Sequence, residues 1–212
     1  MKKTKIGFLF DKYNNWIEKF INSNTIKNKK YIYDFKVNQK DSKRFSILFI
    51  LGYTKFIKET FLKKNKYNLI IHESSLPKGK GFSPVQWQII NGSNKIPVCL
   101  IIASNKLDSG DIILKSCIKL KGTELLDEIR YKQAQVTIKL INKILKIYPN
   151  IPLKKQTGKS TYFRKRTNKD NELNIRKSIL SQINILRVSD NEKYPAHFSY
   201  RKQRYKIKIE RD

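Results

Sequence analysis

Over residues 1–147, short apolar runs alternate with segments whose apolar residues recur three or four positions apart. The run Lys5 to Phe10, followed by Trp16, Ile17, Phe20 and Ile21 at helical spacing, predicts a strand and then a helix. Residues 31–37 predict a second strand, and the nearly unbroken apolar run 45–53 has the pattern of a central parallel strand buried on both faces. A short helix over 57–64 and a buried strand over 67–72 follow. Residues 73–84 form a loop of Gly, Pro, Ser and Lys. Ser83 at a cap and Pro84 in a first turn then predict a helix ending near Ile90 and closed by Asn91 and Gly92. Two more strands, 96–103 and 111–120, flank a polar turn centred on Asp108. From 123 to 147, Leu125, Leu126, Ile129, Ala134, Val136, Ile138, Leu140, Ile141 and Ile144 mark a long amphipathic helix.

This alternation predicts an α/β class with a wound, Rossmann-like sheet over 1–147. Residues 148–160, with two prolines and a glycine, have the pattern of a linker. Beyond them, 173–188 is helical in pattern and 198–209 hairpin-like, which predicts a small α+β subdomain over 161–212.

Charge changes the picture less than its size suggests. Lys and Arg number 46 against 17 Asp and Glu, a net charge of +29, which first suggests nucleic acid or an anionic surface. Only nine of the 46 are Arg, leaving 37 Lys spread through almost every segment, whereas base reading leans on clustered Arg. This argues against nucleic acid as the first partner and leaves room for an anion as small as a diphosphate. Cys99 and Cys117 sit in apolar alternating runs without neighbouring metal ligands, so no metal site is expected and a reducing compartment is. Ile6 to Phe10 is too short for a secretion signal or a membrane span; a cytoplasmic protein with no membrane partner is the expectation.

In an open α/β sheet, functional groups collect at the carboxyl ends of strands. Three such ends carry unusual residues: Leu51, Gly52 and Tyr53; His72 to Ser75; and Lys106 to Gly110. His72 can donate to developing negative charge or move a proton near neutral pH, or it can simply satisfy a nearby carbonyl. Asp108 can orient His72 or accept a proton, or it can serve as an Asx-turn residue. Residues 74–81, with Lys78 and Lys80, offer free backbone N–H groups ahead of a helix, suited to a phosphate or carboxylate.

The segment His72 to Pro84 resembles the His-x-Ser-Leu-Leu-Pro-x-x-Arg-Gly-x-x-Pro signature of formyltransferases that use 10-formyltetrahydrofolate, and Leu107 to Ile112 is similar to that family's Leu-Asp-x-Gly-x-Ile segment. Residues 161–171 and 184–200 resemble tail segments of enzymes that formylate 4-amino sugars on nucleotide carriers, so the likeness covers nearly the whole chain. It implies that His72 and Asp108 are catalytic, His72 donating to the formyl oxygen while Asp108 holds His72 or collects the amine proton. The family's third catalytic residue, an Asn two positions before the His, is Ile70 here. Asn68 is the nearest substitute, but it lies about 6.6 Å further back along a strand. By the same likeness Leu51, Gly52, Tyr53, Leu107 and Gly110 would line the folate site. Ser74, Lys78, Lys80, Gly81, Gln86, Arg164 and Arg166 would meet the second substrate, with Phe82, Trp87 and Tyr162 able to stack on a base. The resemblance further implies a homodimer and, as acceptor, a nucleotide-linked amino sugar, a dTDP- or GDP-4-amino-4,6-dideoxyhexose for surface polysaccharide. Two alternatives stand beside it: methionyl-tRNA as acceptor, or a basic RNA-binding protein without catalysis.

Overall fold

The computed structural model describes residues 4–12, 16–22, 25, 26, 28 and 30–212. The basic residues 1–3 and the start of the first helix-patterned segment lie outside these. Six strands form the main sheet: β1 (Thr4–Phe10), β2 (Tyr31–Asp34), β3 (Ile47–Leu51), β4 (Tyr67–His72), β6 (Lys95–Ile102) and β7 (Ile112–Lys119), in the order β2-β1-β3-β4-β6-β7. All five residues of β3 are buried, as its apolar run predicts for a strand covered on both faces. Three expected elements are shorter than their patterns. The second strand stops at Asp34, the helix after β3 is the single turn α1 (Glu59–Leu62), and the described part of the first helix is a 3-10 turn at Glu18–Phe20. Ile17 and Ile21 nevertheless reach the core, at 3% and 1% exposure.

The sheet is parallel from β2 to β4 and antiparallel across β4, β6 and β7. Between β4 and β6 lies α2 (Pro84–Ile90). Asn91 and Gly92 close α2 as expected, with Gly92 at φ +89°. Ser83 is a correction: it stands at the cap position in the left-handed region and makes no side-chain cap bond.

One sheet face is covered by α3 (Leu126–Ile147), whose buried residues Leu126, Ile129, Gln133, Thr137, Leu140, Ile141 and Ile144 recur at helical spacing. The Glu128 carboxylate accepts the Leu125 N–H at 2.9 Å, ordering the first turn. Each fully buried Leu or Ile on that stripe contributes about 1.5–3 kcal/mol. The opposite face carries Ile70, Cys99, Ile101 and Ile112, covered by Leu76 from the loop after β4.

The tail is bound to this body. Helix α4 (Ile179–Arg187) brings Arg187 to 3% exposure, where its Nε donates to Glu124 O at 3.1 Å and its guanidinium lies 3.6 Å from the Glu124 carboxylate. Strands β9 (Ala196–Tyr200) and β10 (Gln203–Ile207) form the expected hairpin.

Candidate active site

His72 ends β4 and pairs with Cys99 of β6, so its ring lies on the face away from α3. Because β6 runs antiparallel, the turn after it begins beside Asn68, where Ala103 N–H bonds Asn68 O at 2.8 Å. That turn then folds back over the sheet face, with Asp108 at φ +47°, and returns its carboxylate to His72. His72 Nδ1 and Asp108 Oδ2 stand 3.5 Å apart, both side chains less than a tenth exposed.

The loop between β4 and α2 holds both members of this pair. His72 Nε2 lies 2.8 Å from Gly79 O, and since a carbonyl only accepts, the ring donates there. Gly81 N–H donates to Asp108 Oδ2 at 2.8 Å. Both ring nitrogens thus face oxygen atoms. Burial pushes the neighbouring Glu73 carboxyl up, against the charge of His72 and a hydrogen bond from Gln133 of α3.

The loop is in turn held by residues 154–163. Lys80–Gly81 (β5) pairs in parallel with Tyr162–Phe163 (β8); Lys80 N–H reaches Thr161 O at 2.9 Å and Gly79 N–H reaches Thr161 Oγ1 at 2.8 Å. Gln156 Nε2 donates to Asp108 O and Gly110 O, each at 2.8 Å, while Lys154 exchanges backbone bonds with Ile112. The segment patterned as a linker therefore carries contacts that shape the site. Gln156 was not singled out in the sequence, and Ser109, Thr161 and Phe163 fall inside the quoted motifs without having been named as site residues.

The other sequence candidates divide. Gly52, at φ +59°, leaves β3 two residues beyond the Ile50 and Ile70 pair, level with His72 on the adjacent strand. Leu107 is 55% exposed at the rim and Gly110 is buried, where a Cβ would strike Ile102 O. Ser74 is buried, with its Oγ lacking a hydrogen-bond partner. Lys78 is exposed and Gln86 half-buried on α2.

Several placements correct the expectations. Asn68 is not brought to the site: its Nδ2 donates to Leu62 O at 2.9 Å and its Oδ1 accepts from Asn65, which fixes the turn into β4. Leu51 packs in the core at 2% exposure. Tyr53 Oη accepts from Gln39 Nε2 at 2.6 Å, which turns its side chain towards that residue. Lys80 is 5% exposed, out of reach of a solvated phosphate, and donates to Ser109 Oγ at 2.7 Å.

Arg164 pairs with Asp170 and lies 4.7 Å over the Trp87 ring, whose Nε1 donates to Arg164 O. The Arg164 hydrogen bond holds the Asp170 carboxyl down at about 2. Burial lowers the Arg166 guanidinium, which donates to Asn171 Oδ1. Both arginines are thus committed to the tail's own structure. Phe82 and Tyr162 are exposed, at 38% and 65%.

The described residues hold no cluster of His, Cys, Asp and Glu able to bind a metal, and both cysteines are free thiols. No helix among them is long and apolar enough to cross a membrane. A cavity of about 320 Å³ lies elsewhere, lined by Ile90, Glu172, Lys177, Gln182 and Asn184. Two residues after His72, the buried Ser74 Oγ lacks a hydrogen-bond partner, which fits a polar group of a folate carrying a formyl group.

Fold and site together define an open α/β protein with a buried His and Asp side by side beyond the carboxyl end of a central strand. Residues 14–145 match the family described as formyl transferase, and the chain belongs to that family. A methionyl-tRNA formyltransferase from Rickettsia prowazekii is 32% identical over 164 residues, covering 76% of this chain and 54% of that one. The chain thus spans about half the length of the curated relatives it matches. Among solved structures, a methionyl-tRNA formyltransferase from Clostridium thermocellum superposes with a TM-score of 0.80 at 21% identity, over 97% of this chain and 92% of that chain. A 4-N formyltransferase from Francisella tularensis gives 0.75 at 15%, over 99% and 98%. At these identities the superpositions establish the Rossmann-like fold.

Proposed function

We propose that the chain transfers the formyl group of 10-formyltetrahydrofolate to a primary amine, and that the amine is the methionyl group of methionyl-tRNA. The observation that carries the reaction is the buried His72 and Asp108 pair, locked by Gly79 O and Gly81 N–H inside the loop that bears the family signature. In this reading the amine nitrogen bonds to the formyl carbon, the bond from that carbon to folate N10 breaks, and one proton passes from the amine to N10. His72 and Asp108 hold and move that proton, and the backbone at Gly52, with Leu107 and Ser74, receives the folate.

The acceptor rests on different grounds. The similar curated relatives bear the methionyl-tRNA name, and a net charge of +29, though spread over 37 Lys rather than clustered Arg, suits an RNA-sized polyanion once that name is in hand. The commitment of Arg164 and Arg166 to Asp170 and Asn171 also removes two groups expected to bind a sugar nucleotide. A nucleotide-linked 4-amino sugar stands as the second reading, favoured by the end-to-end match to the Francisella fold. In either case the free thiols and the folate donor suit the cytoplasm.

The test is tetrahydrofolate release on mixing the protein with 10-formyltetrahydrofolate and, in parallel, methionyl-tRNA or dTDP- and GDP-linked 4-amino-4,6-dideoxyhexoses. Turnover with methionyl-tRNA alone is the expected result. Turnover with one sugar nucleotide alone transfers the assignment to the second reading, and no release with any acceptor by well-folded protein refutes both.

A further inference from the structure

Glu73 stands between His72 and Ser74, at the position that the formyltransferase signature leaves open to any residue. The chain turns sharply there: Ser74 N–H donates to His72 O at 3.0 Å, which makes Glu73 the corner of the turn that ends β4. The His72 ring lies on the face away from α3, so the next side chain leaves on the other face, where Gln133 of α3 donates to the Glu73 carboxyl. Gln88 of α2 holds the backbone of the same corner, its Nε2 donating to Glu73 O at 2.7 Å and to Pro84 O at 2.9 Å.

The pairing is out of keeping with its surroundings. Gln133 is a buried amide that interrupts the apolar stripe of α3 between Ile129 and Leu140. A carboxyl and an amide in such an interface are unfavourable unless each finds the other, and apolar side chains of similar size would pack there without that requirement. What the polar pair adds is direction, because a satisfied buried hydrogen bond specifies one arrangement where apolar contacts tolerate several. Burial raises the Glu73 carboxyl, the charge of His72 and the Gln133 bond pull the other way, and Asp108 acts with burial. The carboxyl thus feels both members of the pair on the far side of the strand end.

We propose that Glu73 is a positioning residue for His72: through Gln133 and Gln88 it fixes the corner after β4 to α3 and α2, and so sets where the His72 ring stands against Gly79 O and Asp108. This rests on the formyl-transfer reading, in which His72 works on the reacting atoms and Glu73 touches none of them. The role needs the hydrogen bond and not the charge. Glu73→Gln keeps an oxygen for the Gln133 amide, whereas Glu73→Leu keeps much of the bulk and loses the acceptor. A misplaced catalytic group lowers the rate about 100-fold, so Glu73→Leu is expected to reduce kcat by about that factor, with half-saturation for folate changed at most about fivefold. Glu73→Gln is expected to stay near the native values.

Two measurements on the native protein, Glu73→Gln, Glu73→Leu and Gln133→Leu test this. The first is tetrahydrofolate release with 10-formyltetrahydrofolate and methionyl-tRNA or the sugar nucleotides. The second needs no reaction: the chain has two histidines, so nitrogen-15 spectra of the ring N–H groups hold His72 and His197 alone, and solvent exchange of the His72 Nε2 proton bonded to Gly79 O is followed without folate or acceptor. In Glu73→Leu and Gln133→Leu that exchange is expected to quicken about tenfold or more, in Glu73→Gln to match the native protein, and at His197 to stay unchanged throughout, which a general loosening of the fold would not allow. Native kcat or native exchange in Glu73→Leu overturns the proposal, as does a loss of turnover in Glu73→Gln equal to that in Glu73→Leu. If the native protein releases no tetrahydrofolate with any acceptor, formyl transfer fails, and the exchange alone still decides whether Glu73 holds His72. Should Glu73→Leu not fold, as read by thermal melting, Gln133→Leu decides by the same measurements.

Discussion

Replacing Gly81 by Ala tests whether the β5 and β8 pair is what holds Asp108 in place. Two separate effects act at this residue. Gly81 has φ +100°, a conformation that strains an L side chain by about 1–3 kcal/mol. A Cβ there would also lie 2.4 Å from Phe163 O, a backbone atom that cannot swing aside. The two strands must then part, which releases the bonds from Lys80 N–H to Thr161 O and from Phe82 N–H to Phe163 O, at about 1 kcal/mol each. The sum is about 3–5 kcal/mol. Gly92 and Gly158 provide the control, since each has positive φ, +89° and +102°, with nothing within 4 Å of an added Cβ. Gly92→Ala and Gly158→Ala therefore carry the strain alone. Urea unfolding should place Gly81→Ala about 2 kcal/mol or more below both controls, and folate binding should weaken in Gly81→Ala only, because its N–H no longer aims at Asp108. Equal destabilisation of all three variants would refute the reasoning, since the contact with Phe163 O would then contribute nothing.

Other perturbations separate the chemistry from the scaffold. His72→Ala and Asp108→Asn should each lower formyl transfer about 100-fold or more while thermal melting stays near the native value, as read by tetrahydrofolate release. Arg187→Leu should destabilise by about 3 kcal/mol in urea unfolding, because the buried Glu124 charge keeps only Lys132 and the backbone N–H groups of Lys121 and Gly122. Burial raises the Glu124 carboxyl, but Lys132 and those backbone donors outweigh it and hold it at about 2 against an ordinary 4.5. A carboxyl depressed in the folded state adds stability that is complete above its unfolded value and is lost as pH falls from about 4.5 towards 2, here at most about 3 kcal/mol and less after screening. Denaturation curves recorded from pH 6 down to 3 should show that loss, and Glu124→Gln should flatten it. Gln156→Leu should leave the fold intact and reduce turnover more than folate affinity, measured by titration calorimetry beside activity, since Gln156 touches the carbonyls flanking Asp108 rather than the folate.

How much of this was legible in the sequence differs by element for physical reasons. The apolar run of β3 and the stripe of α3 were readable because burial on both faces, or on one, imposes periods of its own. His72 and Asp108 were legible as a pair only through two motifs. Both follow the carboxyl ends of strands as expected, but β6 runs antiparallel to β4, so the Asp108 turn reaches His72 only by folding back. Asn68 failed for the reason its spacing gave: it belongs to the opposite end of β4 and is spent on Leu62 O.

The contacts that could not be read are those made by backbone groups far apart in sequence. Thr161 and Phe163 bind the signature loop mainly through main-chain groups, which nearly any residue offers; only Thr161 Oγ1, accepting from Gly79 N–H, adds a side-chain contact. Gln156 differs, because its amide is specific, yet it sits among Pro, Lys and Gly in a segment whose composition argues for a solvated connection. Lys80 is the sharpest case. In a chain with 37 lysines, composition makes each one a surface charge by default, and only burial separates Lys80 from those that water already satisfies. High lysine content thus conceals a buried lysine while advertising polyanion binding, and a salt titration of acceptor binding tests whether that advertisement is true.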